Sequence, residues 1–361
     1  MTDSHRAHWS PAPLALVALV ALSVNSPLAA GAQGAVSAPD TAALPPLFSA
    51  IAPLPMTFTA NLGRLRHDRD TTSPWRAATL SYAGDTGRVT VPARARTRGI
   101  WRLKNCSMPP LRIDVAKPAA HHTLFKGMGK AKLVNHCRDT DSYEQYVLQE
   151  LQLYRVYQLL TPVSFRTRLV RMTYADSGSG KIDAVRYAFI IEDPEHLARR
   201  MDGLIVKTKG ATADDLDADA LALAYVFEYM IGNSDFQVGA LHNAQLIGTN
   251  NGPILPVVYD FDFSGAVNAV YAVPNPLLGI KRARDRKFRG NCSIAAEYVK
   301  ALPRFRQQKD AIYALYRDEI GRLMDGGRVR ETLDYFDEFY AMIATPESAR
   351  RAFLDDCVGP R

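Results

Sequence analysis

Four polar side chains in the C-terminal half are of the types that bind a divalent metal ion and phosphate. The stretch 232–265 contains Asp235, Asn243, Asp260 and Asp262 around two short apolar runs. Carboxylate and amide oxygens are ligands that Mg²⁺ prefers, and the metal in turn neutralises phosphate oxygens. If these side chains converge, the stretch predicts a phosphoryl-transfer site. Asp and Asn also form turns, and a turn explains any single one of these acids more simply.

The elements around this stretch position its side chains on rigid edges. The apolar segment 217–231 predicts a core helix, and Gly232 is a typical residue to end it. Asp235 follows at once, where its carboxylate could orient or deprotonate an attacking hydroxyl. The apolar run 254–259 predicts a strand that ends at Asp260. The amide and the two later acids would then be the metal ligands.

The rest of the chain divides into a β-rich part and a helical part. Residues 55–205 hold short alternating segments, a helix from about 141 to 160 and a hairpin whose turn is 176–181. A polar connection at 203–215 separates them from a mainly helical part, 206–361. Predicted helices of that part lie near 294–301, 304–324 and 329–343.

The N-terminal residues predict export. Arg6, the apolar run 13–24 and the small residues 30–32 have the order of a secretory signal peptide, 1–32. Residues 33–54 are rich in Ala and Pro and predict a flexible lead-in. No later segment is apolar for long enough to cross a membrane, so we expect no transmembrane segment in the mature chain. The expected location is periplasmic or extracellular.

The four cysteines predict disulfide bonds, because the even number occurs in a chain expected in an oxidising compartment. Cys106 and Cys137 flank the same β-rich segment, whereas Cys292 and Cys357 both lie in the C-terminal third. We therefore favour the pairs Cys106–Cys137 and Cys292–Cys357. Four buried thiols are the alternative, and metal ligation is disfavoured because no CxxC spacing occurs.

The chain carries a formal net charge of +7, with one dense basic cluster at 281–289. Such a cluster suits phosphate, an acidic protein or an anionic envelope surface, and it equally suits a solvated loop. A nucleic-acid partner is not expected, because no aromatic platform or binding motif accompanies the basic residues. The sequence makes no prediction of the oligomeric state.

Three ordered segments resemble the spore-coat CotH kinase family, which belongs to the atypical protein-kinase-like group. They are RARTRGIWRLKNCSMPPLRIDV (94–115), KLVNHCRDTDSYEQYVLQEL (132–151) and GNSDF…HN…LPVVYDFDFSG (232–265). The resemblance covers roughly 94–265. It implies an α+β, bilobal protein-kinase-like fold with a β-rich N-terminal lobe and a mainly helical C-terminal lobe. It also implies ATP, Mg²⁺ or Mn²⁺, and phosphoryl transfer to a protein substrate.

The resemblance also implies a role for individual residues. Asp235 would be the catalytic acid or base, and Asp260, Asn243 and Asp262 would hold the metal. Lys132 would contact nucleotide phosphates, paired with Glu144 or Glu150 on the next helix, and Arg98 and Gly99 would begin the segment that covers the phosphates. Lys130 competes with Lys132 for its role, because both lie on the same face of a strand.

Two other functions fit the same residues. One is a catalytically inactive kinase-like module for binding or envelope assembly, in which Asp260 and Asp262 hold a structural metal ion. The other is a metal-dependent phosphoester hydrolase, which would need a nucleophile or second metal site that the sequence does not show.

Overall fold

Two hydrophobic cores organise the chain, one inside a ring of strands and one among helices. The computed structural model describes residues 45–250 and 252–359. The predicted signal peptide, 1–32, and residues 33–44 of the lead-in lie outside the described residues. The architecture is α+β, as expected: strands dominate the first part of the described chain and helices the last.

Seven strands form a closed barrel in the order β1-β2-β3-β4-β5-β7-β6. They are β1 (Leu54–Ala60), β2 (Arg76–Gly84), β3 (Gly87–Thr97), β4 (Leu111–Val115), β5 (Lys130–Val134), β6 (Thr167–Asp176) and β7 (Ile182–Ile191). Neighbours run antiparallel, except that β1 pairs with β6 in parallel and so closes the ring. Every second side chain points inward, and Phe58, Leu80, Ile113, Leu133 and Met172 are fully buried there.

Three short helices lie between the barrel strands: α1 (Leu62–His67), α2 (Trp101–Asn105) and α3 (Lys117–Ala120). The end of the predicted lead-in also packs on the barrel. Leu47 and Phe48 are buried in its core, and Leu47 N donates a hydrogen bond to Leu124 O. The lead-in was predicted to be flexible, but its apolar residues at 47–48 are buried in the barrel core.

The second core is built around α4 (Asp141–Leu160), which contacts β7 on one side and the C-terminal helices on the other. The remaining helices are α5 (Pro194–Arg200), α6 (Ala218–Ile231), α7 (Ala295–Leu315), α8 (Gly326–Met342) and α9 (Pro346–Arg350). A three-stranded sheet, in the order β10-β9-β8, joins them. Its strands are β8 (Gly203–Val206), β9 (Ala244–Thr249) and β10 (Ile254–Val258).

Two elements differ from their prediction. The polar connection predicted at 203–215 begins with a strand, because β8 pairs with β9 far along the chain. The two helices predicted near 294–301 and 304–324 are one helix, α7, which continues through Pro303. Proline lacks an N–H and usually breaks a helix. Here Tyr298, Leu302 and Phe305 are buried on both sides of it, and this packing outweighs the lost hydrogen bond.

Both predicted disulfide bonds are present, Cys106–Cys137 and Cys292–Cys357. The first joins the end of α2 to the segment after β5, and the second joins the start of α7 to the C-terminal segment. Disulfide bonds persist in oxidising compartments, which agrees with the expected export. No helix within the described part of the chain has the length and hydropathy needed to span a membrane.

Candidate functional site

A cavity of about 500 Å³ brings most of the predicted site residues together. Seven of the nine predicted residues line it: Arg98, Gly99, Lys132, Asp235, Asn243, Asp260 and Asp262. A second cavity of similar volume, on the outside of β1, β2 and β6, contains Arg88 and Arg171 but no carboxylate among its lining residues. Only the first of these two cavities therefore combines cations with acids.

Asp235 is held in place by hydrogen bonds from three directions. Its backbone N–H donates to Asn233 Oδ1 (3.0 Å). The side chain of Asn243 donates to Asp235 O (2.6 Å) and to Oδ2 (3.2 Å), and His242 Nε2 lies 2.8 Å from Oδ1. The chain between Asp235 and Asn243 is a tight loop, closed where Gln237 pairs with His242. This loop returns the amide onto the carboxylate despite eight residues of separation.

Arg289 of the basic cluster 281–289 donates hydrogen bonds to the backbone of this loop. Arg289 Nη1 donates to Ser234 O (2.9 Å) and Phe236 O (2.6 Å), the carbonyl oxygens on either side of Asp235. Arg286 binds backbone oxygens of the second core and Glu338. Part of the cluster therefore has internal contacts, while Lys281 and Lys287 are exposed.

Asp260 follows β10 in a left-handed backbone conformation, with φ of +70°. Leu241 and Asn243 in the facing loop also have positive φ, +55° and +50°. A non-glycine residue in this region is uncommon, and such strain concentrates at functional sites. The N–H of Asp260 donates to the hydroxyl of Tyr154 on α4 (2.9 Å). The described contacts thus fix the backbone of Asp260 and leave its carboxylate toward the cavity.

Asp262 is buried and already has two polar neighbours. The hydroxyl of Tyr271 donates to its Oδ2 (3.1 Å), and Arg102 Nη1 lies 3.7 Å from the same oxygen. Burial, followed by the charge of Asp260, raises the pKa of Asp262 to about 6, although Arg102 and Tyr271 act in the opposite direction. The Asp262 carboxylate therefore takes up a proton more readily than an ordinary aspartate.

The two glutamates predicted on α4 have different surroundings. Glu144 accepts hydrogen bonds from Arg171 Nη1 (2.6 Å) and from Tyr187 N (2.5 Å), so it connects α4 to β6 and β7 and does not line the cavity. Glu150 does not line the cavity either: it is 1 % exposed, and its Oε1 has no hydrogen-bond partner among the described residues. Burial, then Asp262 and Asp260, raise the pKa of Glu150 well above its ordinary value.

Lys132 lines the cavity, whereas Lys130 is exposed and lies one row further along the barrel. Lys132 Nζ lies 3.4 Å from the centre of the Tyr259 ring, and no carboxylate of the described chain pairs with it. Burial lowers the pKa of Lys132 to about 7, and the nearby charge of Arg98 contributes, while Asp260 acts against the shift. The structure does not join Lys132 to either glutamate by an ion pair.

Several residues of the cavity were not predicted. Arg112 lies directly across the strand pair from Lys132, and the ring of Tyr259 lies against the ammonium group of Lys132. Trp101 and Arg102 come from α2, which the strand pattern did not reveal. The alternation of Leu111, Arg112 and Ile113 could have placed Arg112 on the outer face, because it separates two buried positions.

Comparisons with family models and with curated proteins found no match for this chain.

Proposed function

We propose that the protein is an exported, atypical kinase-like phosphotransferase that uses ATP with Mg²⁺ or Mn²⁺ and acts on a protein substrate. The observation that carries this proposal is one cavity with cations on the barrel wall and acids on the opposite loops. The barrel core and the helical core built around α4 would be the two lobes of a protein-kinase-like fold. The resemblance to the CotH kinase family motivates the same assignment.

The barrel wall suits the phosphates of a nucleotide. Lys132 and Arg98 would contact phosphate oxygens, because both line the cavity and neither is paired with a carboxylate of the described chain. Gly99 has φ of +86°, a conformation that glycine adopts without strain. Its lack of a side chain would let the backbone approach a phosphate closely.

The loop wall suits a divalent cation that arrives with phosphate. Asp260 and Asn243 present hard oxygen donors to the cavity. Glu150 on α4 does not line the cavity, but it has a buried oxygen without a partner in the described chain and is close enough to Asp262 and Asp260 for their charges to raise its pKa. No three His, Cys, Asp or Glu side chains of the described residues are grouped as a complete metal site. Mg²⁺ typically takes one or two carboxylates and completes its shell with water and phosphate, so this donor set fits it. The ion would neutralise charge on the transferred phosphoryl group.

Asp235 would orient or deprotonate the acceptor hydroxyl. Its carboxylate is about 42 % exposed and faces the cavity, with one oxygen near His242 and the other near the Asn243 amide. General base catalysis requires a positioned acceptor for the proton. The hydrogen bonds to its backbone supply that positioning.

Nucleotide binding and turnover test the proposal separately. The wild-type protein should gain thermal stability with ATP and Mg²⁺ or Mn²⁺, and Asp260→Ala should abolish the gain. Asp260→Asn is the matched control for the backbone, because Asn also tolerates the left-handed region. Asp235→Ala should keep the gain and lose turnover. Unchanged melting over a wide range of nucleotide and metal concentrations would rule out the catalytic function.

A catalytically inactive binding module is the second candidate, and the contacts of Asp262 favour it. Arg102 and Tyr271 already compensate this carboxylate, so it is poorly suited to a catalytic metal ion; of the two acids expected to hold a structural metal ion in such a module, Asp260 keeps the freer carboxylate. The exposed lysines of 281–289 would then meet an anionic envelope partner. A wild-type protein that binds nucleotide without metal and never transfers phosphate would support this candidate.

A further inference from the structure

The outer face of three barrel strands carries two rows of charged side chains, and only one row is balanced. In the first, the mixed row, Arg94 on β3 is opposite Asp114 on β4, which is opposite Lys130 on β5. The signs alternate, and Arg94 Nη2 lies 2.5 Å from Asp114 Oδ2. Opposite charges on facing strands stabilise a sheet. The mixed row needs no ligand.

The second row, the cation row, lies two residues further along each strand and holds only positive charges. Arg96 on β3 is opposite Arg112 on β4, which is opposite Lys132 on β5. None of the three side chains makes an ion pair or hydrogen bond with any described residue. Like charges directly opposite each other destabilise a sheet. The electrostatic repulsion within the cation row would therefore decrease when an anion binds.

The guanidinium groups at the middle of the row have donors that no described residue uses. The Nε atom of Arg112 is buried without a partner in the described chain, and so is Nε of Arg98, which follows Arg96 by two residues. Burial, then the charges of Arg98 and Arg96, lower the pKa of Arg112. A guanidinium in this position matches a carboxylate with two parallel hydrogen bonds.

The row extends beyond the cavity that would hold the nucleotide. Lys132 and Arg112 line the cavity, but Arg96 lies outside its lining and packs on the half-buried Trp75, with 4.8 Å from its guanidinium carbon to the ring centre. Two strand spacings separate the ends of the row, about 10 Å along the sheet. A ligand that contacts the whole row must therefore leave the cavity and continue over the barrel.

We propose that Arg96 and Arg112 bind the carboxylate side chains of an acidic acceptor peptide and thereby position the hydroxyl residue of that peptide near Asp235. This inference rests on the proposed phosphotransferase function. Lys132, at the inner end, remains for the nucleotide phosphates. Successive same-side residues of an extended peptide are about 7 Å apart, so one or two acidic residues reach the outer half of the row. The aromatic support of Arg96 holds its guanidinium in place.

Peptide binding without nucleotide tests the site directly. The probes are two fluorescent serine peptides of equal length, one with Glu and one with Gln around the serine, measured by anisotropy at fixed salt. The Arg96→Gln/Arg112→Gln variant is compared with Arg94→Gln/Lys130→Gln, which removes the same charge from the mixed row. We expect the first variant to lose about tenfold or more in affinity for the Glu peptide. The second should lose less than about threefold, the part due to the general field.

The outcomes separate the site from the catalytic proposal. Equal losses in both double variants, or an undiminished affinity in the first, would overturn the acidic-peptide site. So would a wild-type protein that gains thermal stability with metal–ATP but does not distinguish the Glu and Gln peptides. A wild-type protein that prefers the Glu peptide yet binds no nucleotide would instead overturn the phosphotransferase and leave the peptide site standing. Melting curves of both variants show that each is folded.

Discussion

Two buried glutamates show how differently one fold treats the same charge. Glu192 and Glu150 are each 1 % exposed. Glu192 accepts hydrogen bonds from Arg166 N (2.9 Å) and Arg200 Nη2 (3.2 Å), and His196 Nδ1 lies 2.5 Å away. Burial raises its pKa, but the hydrogen bonds outweigh burial and the net shift is downward.

Glu150 has the opposite balance. Burial is again the largest influence, but Asp262 and Asp260 add to it, and the pKa rises well above its ordinary value. A buried carboxylate is stable where partners satisfy it and otherwise becomes protonated. Burial alone therefore does not identify a functional acid. The lack of hydrogen-bond partners, together with neighbouring acids, indicates a site where a bound cation would be stabilised.

Replacing each of the two glutamates by Gln should affect the stability of the fold very differently, and the largest effect is expected at Glu192. Glu192→Gln leaves the buried guanidinium of Arg200 without its counter-charge, which should lower the free energy of unfolding by about 3–5 kcal/mol. Urea denaturation at neutral pH measures this. A loss below about 1 kcal/mol would mean that the Glu192 contacts are not the stabilising network described.

Glu150→Gln should instead raise the free energy of unfolding at neutral pH, because the unfolded chain gains by ionising Glu150 while burial keeps the folded group neutral. The substitution removes the carboxylate that a metal–nucleotide complex would recruit, so the thermal stabilisation by ATP and Mg²⁺ should fall. A differential scan with and without ligand measures both effects. If the ligand shift stays at the wild-type value, Glu150 has no part in the site.

The pH dependence should also separate the two acids. The folded-state pKa of Glu192 is lowered, so its contribution to stability is complete above its unfolded pKa and is lost as pH falls through the folded pKa. The folded-state pKa of Glu150 is raised, so stability decreases as pH rises above its unfolded value. Glu150→Gln should remove that decrease and leave the acid-side loss unchanged. Denaturation midpoints between pH 3 and 8 (about 1-unit steps) would show this.

Lys132 is the positively charged counterpart of Glu150, because it too has no ion-pair partner in the described chain. The pKa of Lys132 is about 7 in the folded protein against 10.5 for the ordinary side chain, so the unfolded chain binds more protons between these values. Stability should therefore rise with pH across that interval, while affinity for pyrophosphate should fall. Lys132→Arg keeps its charge, so by calorimetry its affinity should not fall with pH as that of the wild type does, and only the ionisation of pyrophosphate itself should remain in the profile. A falling profile in this variant would assign the titration to another group.

The smallest expected effect concerns the two rows on the barrel. Arg112→Gln removes like-charge repulsion and should raise the free energy of unfolding by about 0.2–1 kcal/mol. Arg94→Gln breaks the pair with Asp114 and should lower it by a similar amount. Opposite signs in urea denaturation are the result that matters. A loss in both variants would show that Arg112 has a structural partner in solution.

Local patterns predicted the elements and the acids, because each depends on nearby residues. The apolar segment before Gly232, the run before Asp260 and the cysteine pairs all form as expected. Patterns of this kind indicate which face of an element is buried, but not what it meets. Glu144 and Glu150 lie on the same helix, yet one meets Arg171 and the other meets acids. Nothing in the alternation of β4 could show that Arg112 faces Lys132, since register is a long-range property.

The parallel pairing of β1 with β6 has a consequence for how the chain folds. Leu54 is paired with Val170 and Ala60 with Asp176. Strand β1 therefore pairs with a strand more than 100 residues later in the chain, and β2 to β5 lie between the two in sequence. Non-local pairing of this kind slows folding, because chain entropy is lost before the contact forms. We therefore expect the barrel to close late in folding. A newly made chain would then stay open for longer than a protein of local contacts, which would suit the export that the N-terminal sequence predicts.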